Sequence, residues 1–186
     1  MKLSLKKTRL SFPDMFTAKA FEDGGTKTYG CTLLIEPGSA NDKAIRQALQ
    51  KVAEEKWGVK HAPILKAALA ANNSQKMCYW SGDVKEYDGY AGMMALTAKR
   101  GEAKGRPLVI DKDKSPLTEA DGKPYAGCFV NASVEIWAQA NKFGNTLRCE
   151  LLGVQFAADG DAFSAGSVAR EEDFEDMSFE EESDLA

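Results

Sequence analysis

Few residues in this sequence carry the chemistry of catalysis. The chain of 186 residues holds one histidine, His61, which has no nucleophile or orienting carboxylate beside it in sequence. The phosphate-binding motif GxxxxGK[ST], the zinc motif HExxH and the nucleophile motif GxSxG are all missing. The sequence therefore gives no sign of the reactions that these motifs serve.

Several acidic residues in predicted loops could bind magnesium, because paired carboxylates hold that ion in nucleases. They are Asp83, Glu86, Asp88, Asp111 and Asp113. Asp-Gly and Asp-Lys pairs in loops are more typical of ordinary turns. A metal-dependent nuclease or nucleotide-processing enzyme is thus the alternative interpretation, and we predict that the protein is not an enzyme and needs no cofactor.

The four cysteines are poorly arranged for a metal site. They lie 47, 50 and 21 residues apart, at Cys31, Cys78, Cys128 and Cys149, without a CxxC pair. Cys31, Cys128 and Cys149 stand in apolar or alternating runs, where a reduced cysteine behaves as a small buried hydrophobe. We predict no zinc site and a reducing compartment.

Aromatic residues combined with cations indicate a different chemistry, the stacking of bases and the neutralisation of phosphates. In the alternating run 128–140, Phe129 and Trp137 fall on the polar side, and Lys142, Phe143 and Arg148 follow closely. An exposed ring can stack a base, which contributes about 1–3 kcal/mol whatever the base. The alternative is that inserted helices cover this face and make Trp137 part of the core.

A second group of the same kind lies earlier in the chain. The segment 76–90 is predicted to be a loop rich in aromatic residues, and a glycine-punctuated basic connector follows it. Their candidate nucleic-acid contacts are Tyr79, Trp80, Lys85, Tyr87, Tyr90, Lys99, Arg100, Lys104 and Arg106. The connector alone is also consistent with a solvated hairpin.

The charge of the chain is distributed unevenly. Residues 171–186 hold nine acidic residues and neither Lys nor Arg, whereas residues 1–170 carry a net charge of +5. Phe174 and Phe179 stand among the carboxylates, so this tail resembles a phosphate chain with stackable groups. We expect it to compete for the binding groove and, when released, to dock on partner proteins; a purely solubilising tail is the alternative.

The elements that must position these groups are mostly strands. Strands are predicted at 3–12, 28–35, 91–98, 107–110, 128–140 and 147–157, with Pro13 ending the first and Gly153 as a bulge in the last. Helices are predicted at 42–57 and from Pro63 to Asn72. Helices inserted after the second of five or six strands favour a mainly β, partly open barrel of the OB-fold type over a parallel α/β sheet.

This organisation predicts one domain over 1–165, with a helical insertion around 40–72, and a flexible acidic tail over 166–186. No stretch of the sequence approaches the eighteen or more apolar residues of a membrane span, and the first seven residues lack the apolar segment of a signal peptide. We therefore expect a cytoplasmic protein that does not bind membranes.

Taken together, these features resemble the bacteriophage single-stranded-DNA-binding proteins, which combine an OB-fold with a helical insertion and an acidic tail. The resemblance rests on SFP at 11–13, YGCTLLI at 29–35, RPLVID at 106–111, YAGCFVNA at 125–132, LLGVQF at 151–156, DGDAF at 159–163 and DF at 173–174. It implies sequence-independent binding of single-stranded DNA in phage replication, recombination and repair, without catalysis or metal, in the cytoplasm of the infected host.

The same resemblance implies that phage replication or recombination proteins are partners of the tail. Related replication proteins often end in an aromatic residue, whereas this sequence ends in Ser183-Asp184-Leu185-Ala186. The resemblance therefore does not extend to partner recruitment through a terminal aromatic ring.

Overall fold

Seven β-strands and two α-helices make up residues 1–163, the part of the chain that the computed structural model describes. The strands are β1 (Lys2–Lys19), β2 (Thr28–Ile35), β3 (Tyr79–Ser81), β4 (Met94–Gly101), β5 (Leu108–Ile110), β6 (Phe129–Asn141) and β7 (Gly144–Ala158). The helices α1 (Ala40–Trp57) and α2 (His61–Ala71) are inserted between β2 and β3. The acidic tail predicted over 166–186 lies outside the described residues.

The long strand β1 makes a barrel possible because it serves two neighbours. Its first half pairs with β6 and its second half with β2, and the two ladders meet at Arg9. β2 also pairs with β4, and β6 with β7, all antiparallel. A parallel contact between Lys99 of β4 and Glu150 of β7 closes the ring. The predicted OB-fold-like barrel is confirmed, with β1, β2, β4, β6 and β7 as its strands.

Pro13 does not end the first strand, contrary to the sequence-based prediction. The register between β1 and β2 shifts between Ser11 and Asp14, so Pro13 lies at an irregularity of the ladder. Proline has no N–H to donate, and bulges are among the few places where a strand tolerates it. The strand therefore continues to Lys19, and Phe12, with a φ of 47°, lies at the bulge.

The hairpin of β6 and β7 supplies much of the core, as its alternation predicted. Val130, Ala132, Val134 and Ile136 of β6 are buried, while the residues that alternate with them are half-buried or exposed. The register shifts where Ser133 faces Gly153, which confirms the predicted bulge. Period-two alternation with one buried face fixes the register, because a slip of one residue would expose the whole apolar set.

All four cysteines are free and buried, as predicted for small core hydrophobes. Burial raises the pKa of Cys31 and of Cys78 to about 12 each. Burial likewise raises the pKa of Cys128 to about 11. These thiols therefore stay protonated near neutral pH, and protonated thiols are poor nucleophiles and poor metal ligands.

A buried carboxylate fixes α1 to the barrel. Asp42 in the first turn accepts hydrogen bonds from the Tyr79 hydroxyl, from the Gly38 amide (2.9 Å) and from Arg46 Nε (2.9 Å). Burial by itself would raise the pKa of Asp42, but these donors and the positive charge of Arg46 outweigh it and lower the pKa. The carboxylate is thus ionised near neutral pH, and it ties the helix insertion to β3.

The two helices confirm the predicted insertion within two residues at each end. α1 begins after the Ser39 cap, whose hydroxyl accepts from the Asp42 amide, and it ends at Gly58, which has a positive φ of 56°. α2 ends at Asn72, which has a left-handed conformation. No helix among the described residues is both long enough and apolar enough to cross a membrane.

Candidate nucleic-acid interface

A groove of about 310 Å³ lies on the outer face of β2 and β4. β2 lines it with Thr28, Gly30 and Thr32, and β4 lines it with Thr97 and Lys99. Because successive side chains of a strand point to opposite faces, these residues face away from the barrel core. The register pairs Gly30 with Lys99, so the lysine stands beside a position that has no side chain.

Three exposed aromatic rings stand at the groove and beside it. Phe21, in the connection between β1 and β2, is 91% exposed, and Phe12 is 52% exposed; both line the groove. Tyr87 is 47% exposed and meets Phe12 edge to face, with 5.0 Å between the ring centroids. Large rings exposed together on one side of a barrel are available to a planar ligand.

The cations of the groove differ in how far they are already engaged. Lys99 is exposed on β4. Lys19 pairs with Asp14 at 2.6 Å, and the hydrogen bond that its ammonium donates to Asp14 raises the pKa of the lysine. Arg9 is occupied within the protein, because it donates to the carbonyls of Gly127 and Asp161 and lies 4.4 Å from the Phe163 ring centroid. Lys99 is therefore directly available to a phosphate, whereas Lys19 can contact one only by exchanging its ion pair with Asp14.

Three of the four aromatic residues predicted from segment 76–90 are buried. Tyr79 and Trp80 lie in β3, a short strand that pairs with β4 and replaces the predicted loop at this point. Trp80 Nε1 donates to Thr97 Oγ1 at 3.0 Å, and the Tyr90 hydroxyl donates to Ser11 Oγ at 3.1 Å. These rings support the groove from within, and only Tyr87 of the set is accessible for stacking.

The cations of the predicted basic connector also differ in their availability: some are paired within the protein and others are exposed. Arg100 Nη1 and Lys104 Nζ both lie 3.0 Å from Glu150 Oε1, beside the β4–β7 contact that closes the barrel. Arg100 also donates to the carbonyls of Lys104 and Gly105. Their charges are thus partly neutralised and serve the barrel closure. Lys99 lies in the groove, and Arg106 and Lys85 are exposed.

The β6–β7 hairpin keeps the other predicted group together. Trp137 is 42% exposed and lies directly opposite Arg148, so the inserted helices do not bury it. Phe143 at the turn is 74% exposed, and Lys142 Nζ lies 5.0 Å from its ring centroid. Phe129, at the other end of β6, is half-buried, with the Arg9 guanidinium 5.9 Å from its ring. The hairpin tip therefore presents a second surface of rings and cations.

Three of the five loop carboxylates considered for a metal site, Asp83, Asp111 and Asp113, are bound in turns or ion pairs in this structure. Asp83 accepts from the Gly92 amide at 2.8 Å, and Asp113 accepts from Ser115. The Lys112 amide and the Lys123 ammonium, 3.1 Å away, lower the pKa of Asp111. Glu86 and Asp88 line a cavity described below. Within residues 1–163, no three His, Cys, Asp or Glu side chains are grouped so that they could hold a metal ion.

Sequence reasoning missed Phe12, Phe21 and Lys19 as members of the site. Phe12 stands before a proline that was interpreted as the end of a strand, and Phe21 stands near the Asp23-Gly24-Gly25 turn. A bulky ring beside a turn or a breaker was the available signal. It was weak, because the exposure of Phe12 arises at a bulge that the sequence pattern does not reveal.

The architecture of the barrel and the position of the groove define the class of protein. A five-stranded barrel whose second and third strands carry an open outer face is an OB-fold, and that face, with the adjoining loops, is where such barrels bind oligonucleotides or oligosaccharides. The chain belongs to the family described as Enterobacter phage Enc34, ssDNA-binding protein, whose model matches residues 1–185. The resemblance found in the sequence is thereby confirmed.

One relative is similar in sequence, and two solved structures are similar in fold. The chain is 43% identical over 187 residues to putative protein p50 of Acyrthosiphon pisum secondary endosymbiont phage 1, covering 100% of this chain and 98% of the relative. The fold is similar to that of the single-stranded DNA-binding protein from bacteriophage Enc34 in complex with ssDNA (TM-score 0.71, 24% identity, 88% of this chain and 89% of that one). It is also similar to gp2.5, a single-stranded DNA-binding protein encoded by bacteriophage T7 (TM-score 0.54, 14% identity, 91% and 97%).

Proposed function

We propose that this protein binds single-stranded DNA without regard to sequence, in the groove over β2 and β4. The observation that carries the proposal is the exposure of Phe12, Phe21 and Tyr87 together at the face that OB-folds use for oligonucleotides. Bases stack on these rings while Lys19 and Lys99 neutralise phosphates. Stacking accepts every base, because every base has a π face.

The hairpin tip extends the same path. Trp137, Phe143, Lys142 and Arg148 lie on and beside the connection between the last two barrel strands, one of the loops that flank the binding face of an OB-fold. Lys85 and Arg106 are exposed cations outside the groove that we assign to longer strands. Family membership supports a role in phage DNA replication, recombination and repair, in the cytoplasm of the infected host and without catalysis.

A titration with labelled oligo(dT), a duplex of the same length and an RNA oligomer tests the proposal. We expect Trp fluorescence to fall as oligo(dT) binds, because Trp137 is exposed at the hairpin tip. The logarithm of the affinity should fall with the logarithm of the salt concentration by about 0.7 for each phosphate neutralised. Failure to form any complex with oligo(dT) in dilute buffer would refute the proposal.

The acidic tail gives a further expectation. We propose that residues 171–186, with Phe174 and Phe179 among nine acidic residues, compete with DNA for the groove and dock on partner proteins once DNA displaces them. Phe163, the last described residue, lines a cavity together with Phe12 and Tyr87, so the chain leaves the barrel beside the groove. A segment tethered at that point has a high effective concentration there.

Truncation after Arg170 should therefore tighten binding of oligo(dT) at low salt. The gain should shrink as salt rises, because salt screens the attraction between the tail and the groove lysines. The measurement is fluorescence anisotropy of both chains at two salt concentrations. Weaker binding by the truncated chain would contradict the competition.

A further inference from the structure

A cavity of about 470 Å³ adjoins the groove and has a different lining. Phe12, Tyr87 and Phe163 supply its aromatic surface, and Phe12 also lines the groove. Asp14 and Lys19 are likewise shared by the two spaces. A DNA strand lying in the groove would therefore have this cavity directly beside it, because the two spaces share lining residues.

The backbone at the junction supports a functional interpretation of the cavity. Phe12 has a φ of 47°, a left-handed conformation that is uncommon for a bulky aromatic residue. Such strain persists where the surrounding structure imposes it, and it is concentrated at functional sites. Here the strained residue is the one whose ring borders both the groove and the cavity.

Three carboxylates line the cavity, and one of them is available to a ligand. Asp88 already has an interaction within the described part of the chain. Asp14 is already paired with Lys19 at 2.6 Å, so its charge is largely neutralised. Glu86 is exposed, lines the cavity and has neither a hydrogen bond nor an ion pair among the residues that the structure describes. A carboxylate only accepts hydrogen bonds, so it selects ligands that present a donor.

We propose that this cavity receives one base of the bound strand and that Glu86 makes it prefer a base with an exocyclic amino group, cytosine over thymine. The inference rests on the proposed binding of single-stranded DNA in the groove, and it adds a modest preference at one nucleotide position to binding that is otherwise independent of sequence. Cytosine presents its N4 amino group as a donor to the carboxylate, whereas thymine presents the O4 acceptor at the same position, which a carboxylate repels. The rings of Phe12 and Tyr87 provide apolar contact to either base.

The charge of Glu86 favours a base over the acidic tail as the occupant of the cavity. Residues 171–186 bring nine carboxylates and no cation, so the free carboxylate of Glu86 disfavours their entry. A nucleobase is uncharged, and its amino group is attracted to the same carboxylate. The tail can still compete in the groove, where Lys19 and Lys99 lie.

The experiment compares oligo(dC) with oligo(dT) of equal length on the intact chain and on Glu86→Gln, by fluorescence anisotropy. Intrinsic differences between the two polymers cancel when the ratio of their affinities is compared between the two proteins. We expect Glu86→Gln to lower the dC-to-dT affinity ratio about three- to tenfold, because the neutral amide oxygen accepts a weaker hydrogen bond from cytosine than the carboxylate does. The glutamine amide can donate to thymine O4, which acts in the same direction.

Glu55→Gln is the matched control, because Glu55 is exposed on α1 and lines neither the groove nor the cavity. It removes the same charge and should leave the ratio unchanged. An unchanged ratio in Glu86→Gln, with both polymers still bound, would overturn this inference and leave the proposed function intact. If neither polymer binds the intact chain, the proposed function itself fails.

Discussion

Replacing Phe12 and Phe21 together by alanine is expected to weaken the binding of oligo(dT) by a factor between about 30 and about 20,000, because each lost stack is worth about 1–3 kcal/mol. Both rings line the groove and are mostly exposed, so they offer their faces to bases. Neither substitution removes a cation. The dependence of affinity on salt should therefore keep its slope while the affinity itself falls. Fluorescence anisotropy at several salt concentrations measures both quantities.

Two control variants distinguish the loss of base stacking from the loss of an exposed apolar side chain elsewhere and from the loss of a cation. Val59→Ala removes another highly exposed apolar side chain outside the groove and should leave affinity unchanged. Lys99→Gln, unlike the double variant, should change the dependence of affinity on salt, because the loss of one phosphate contact lowers the salt slope by about 0.7. Thermal unfolding should show that all these variants fold. An affinity of the folded double variant within about threefold of the intact chain would exclude base stacking on these two rings as a main source of binding.

Gly127→Ala is expected to cost at least about 3 kcal/mol of unfolding free energy, because it combines backbone strain with a collision against main-chain atoms. Gly127 has a φ of 100°, and its amide donates to the Leu10 carbonyl at 2.8 Å. A Cβ there would fall on the Asp161 carbonyl oxygen and lie 2.9 Å from the Ala162 Cα. Backbone cannot rotate away as a flexible side chain can.

The Gly127→Ala substitution should also affect the groove. Arg9 donates to the carbonyls of both Gly127 and Asp161 and lies against the Phe163 ring, so displacing residues 159–163 removes the contacts that hold them. Phe163 lines the cavity next to Phe12. We expect urea unfolding to show the loss of stability, and oligo(dT) binding to weaken in the fraction that remains folded.

Gly122→Ala is the matched comparison for Gly127→Ala. Gly122 also has a positive φ, 68°, but no atom lies within 4 Å of the position that its Cβ would occupy. It should cost only about 1 kcal/mol, the penalty for a left-handed residue with a side chain. Equal losses in the two variants would show that conformational strain alone, rather than the packed segment 159–163, accounts for the effect.

The elements were predictable where one periodic pattern decided them. The alternation of 128–140 and the helical spacing of Ile45, Leu49 and Val52 each bury one face, and the structure has β6 and α1 at those places. The order of strands and inserted helices was sufficient to predict the barrel. The end of β1 was predicted wrongly, because a proline at a bulge and a proline after a strand have the same local sequence.

The site was less predictable because exposure is a property of packing. Tyr87 and Tyr90 both stand in the turn-rich segment around Asp88-Gly89, yet Tyr90 is buried against β1 and Tyr87 is exposed. Arg100 and Lys99 are neighbours in sequence, but their side chains lie on opposite sides of β4. Arg100 therefore pairs with Glu150, whereas Lys99 lines the groove. A count of rings and cations could not separate these roles.

Most strands, both inserted helices, the burial of three cysteines and the separation of a basic body from an acidic terminal segment could be predicted from the sequence, because each follows from the order of side chains along a short stretch of chain. The exposure of the rings, the pairing of the cations and the position of the groove became known only from the folded barrel. Those properties depend on residues far apart in sequence, such as Phe12 with Tyr87 and Arg100 with Glu150, that barrel closure brings together.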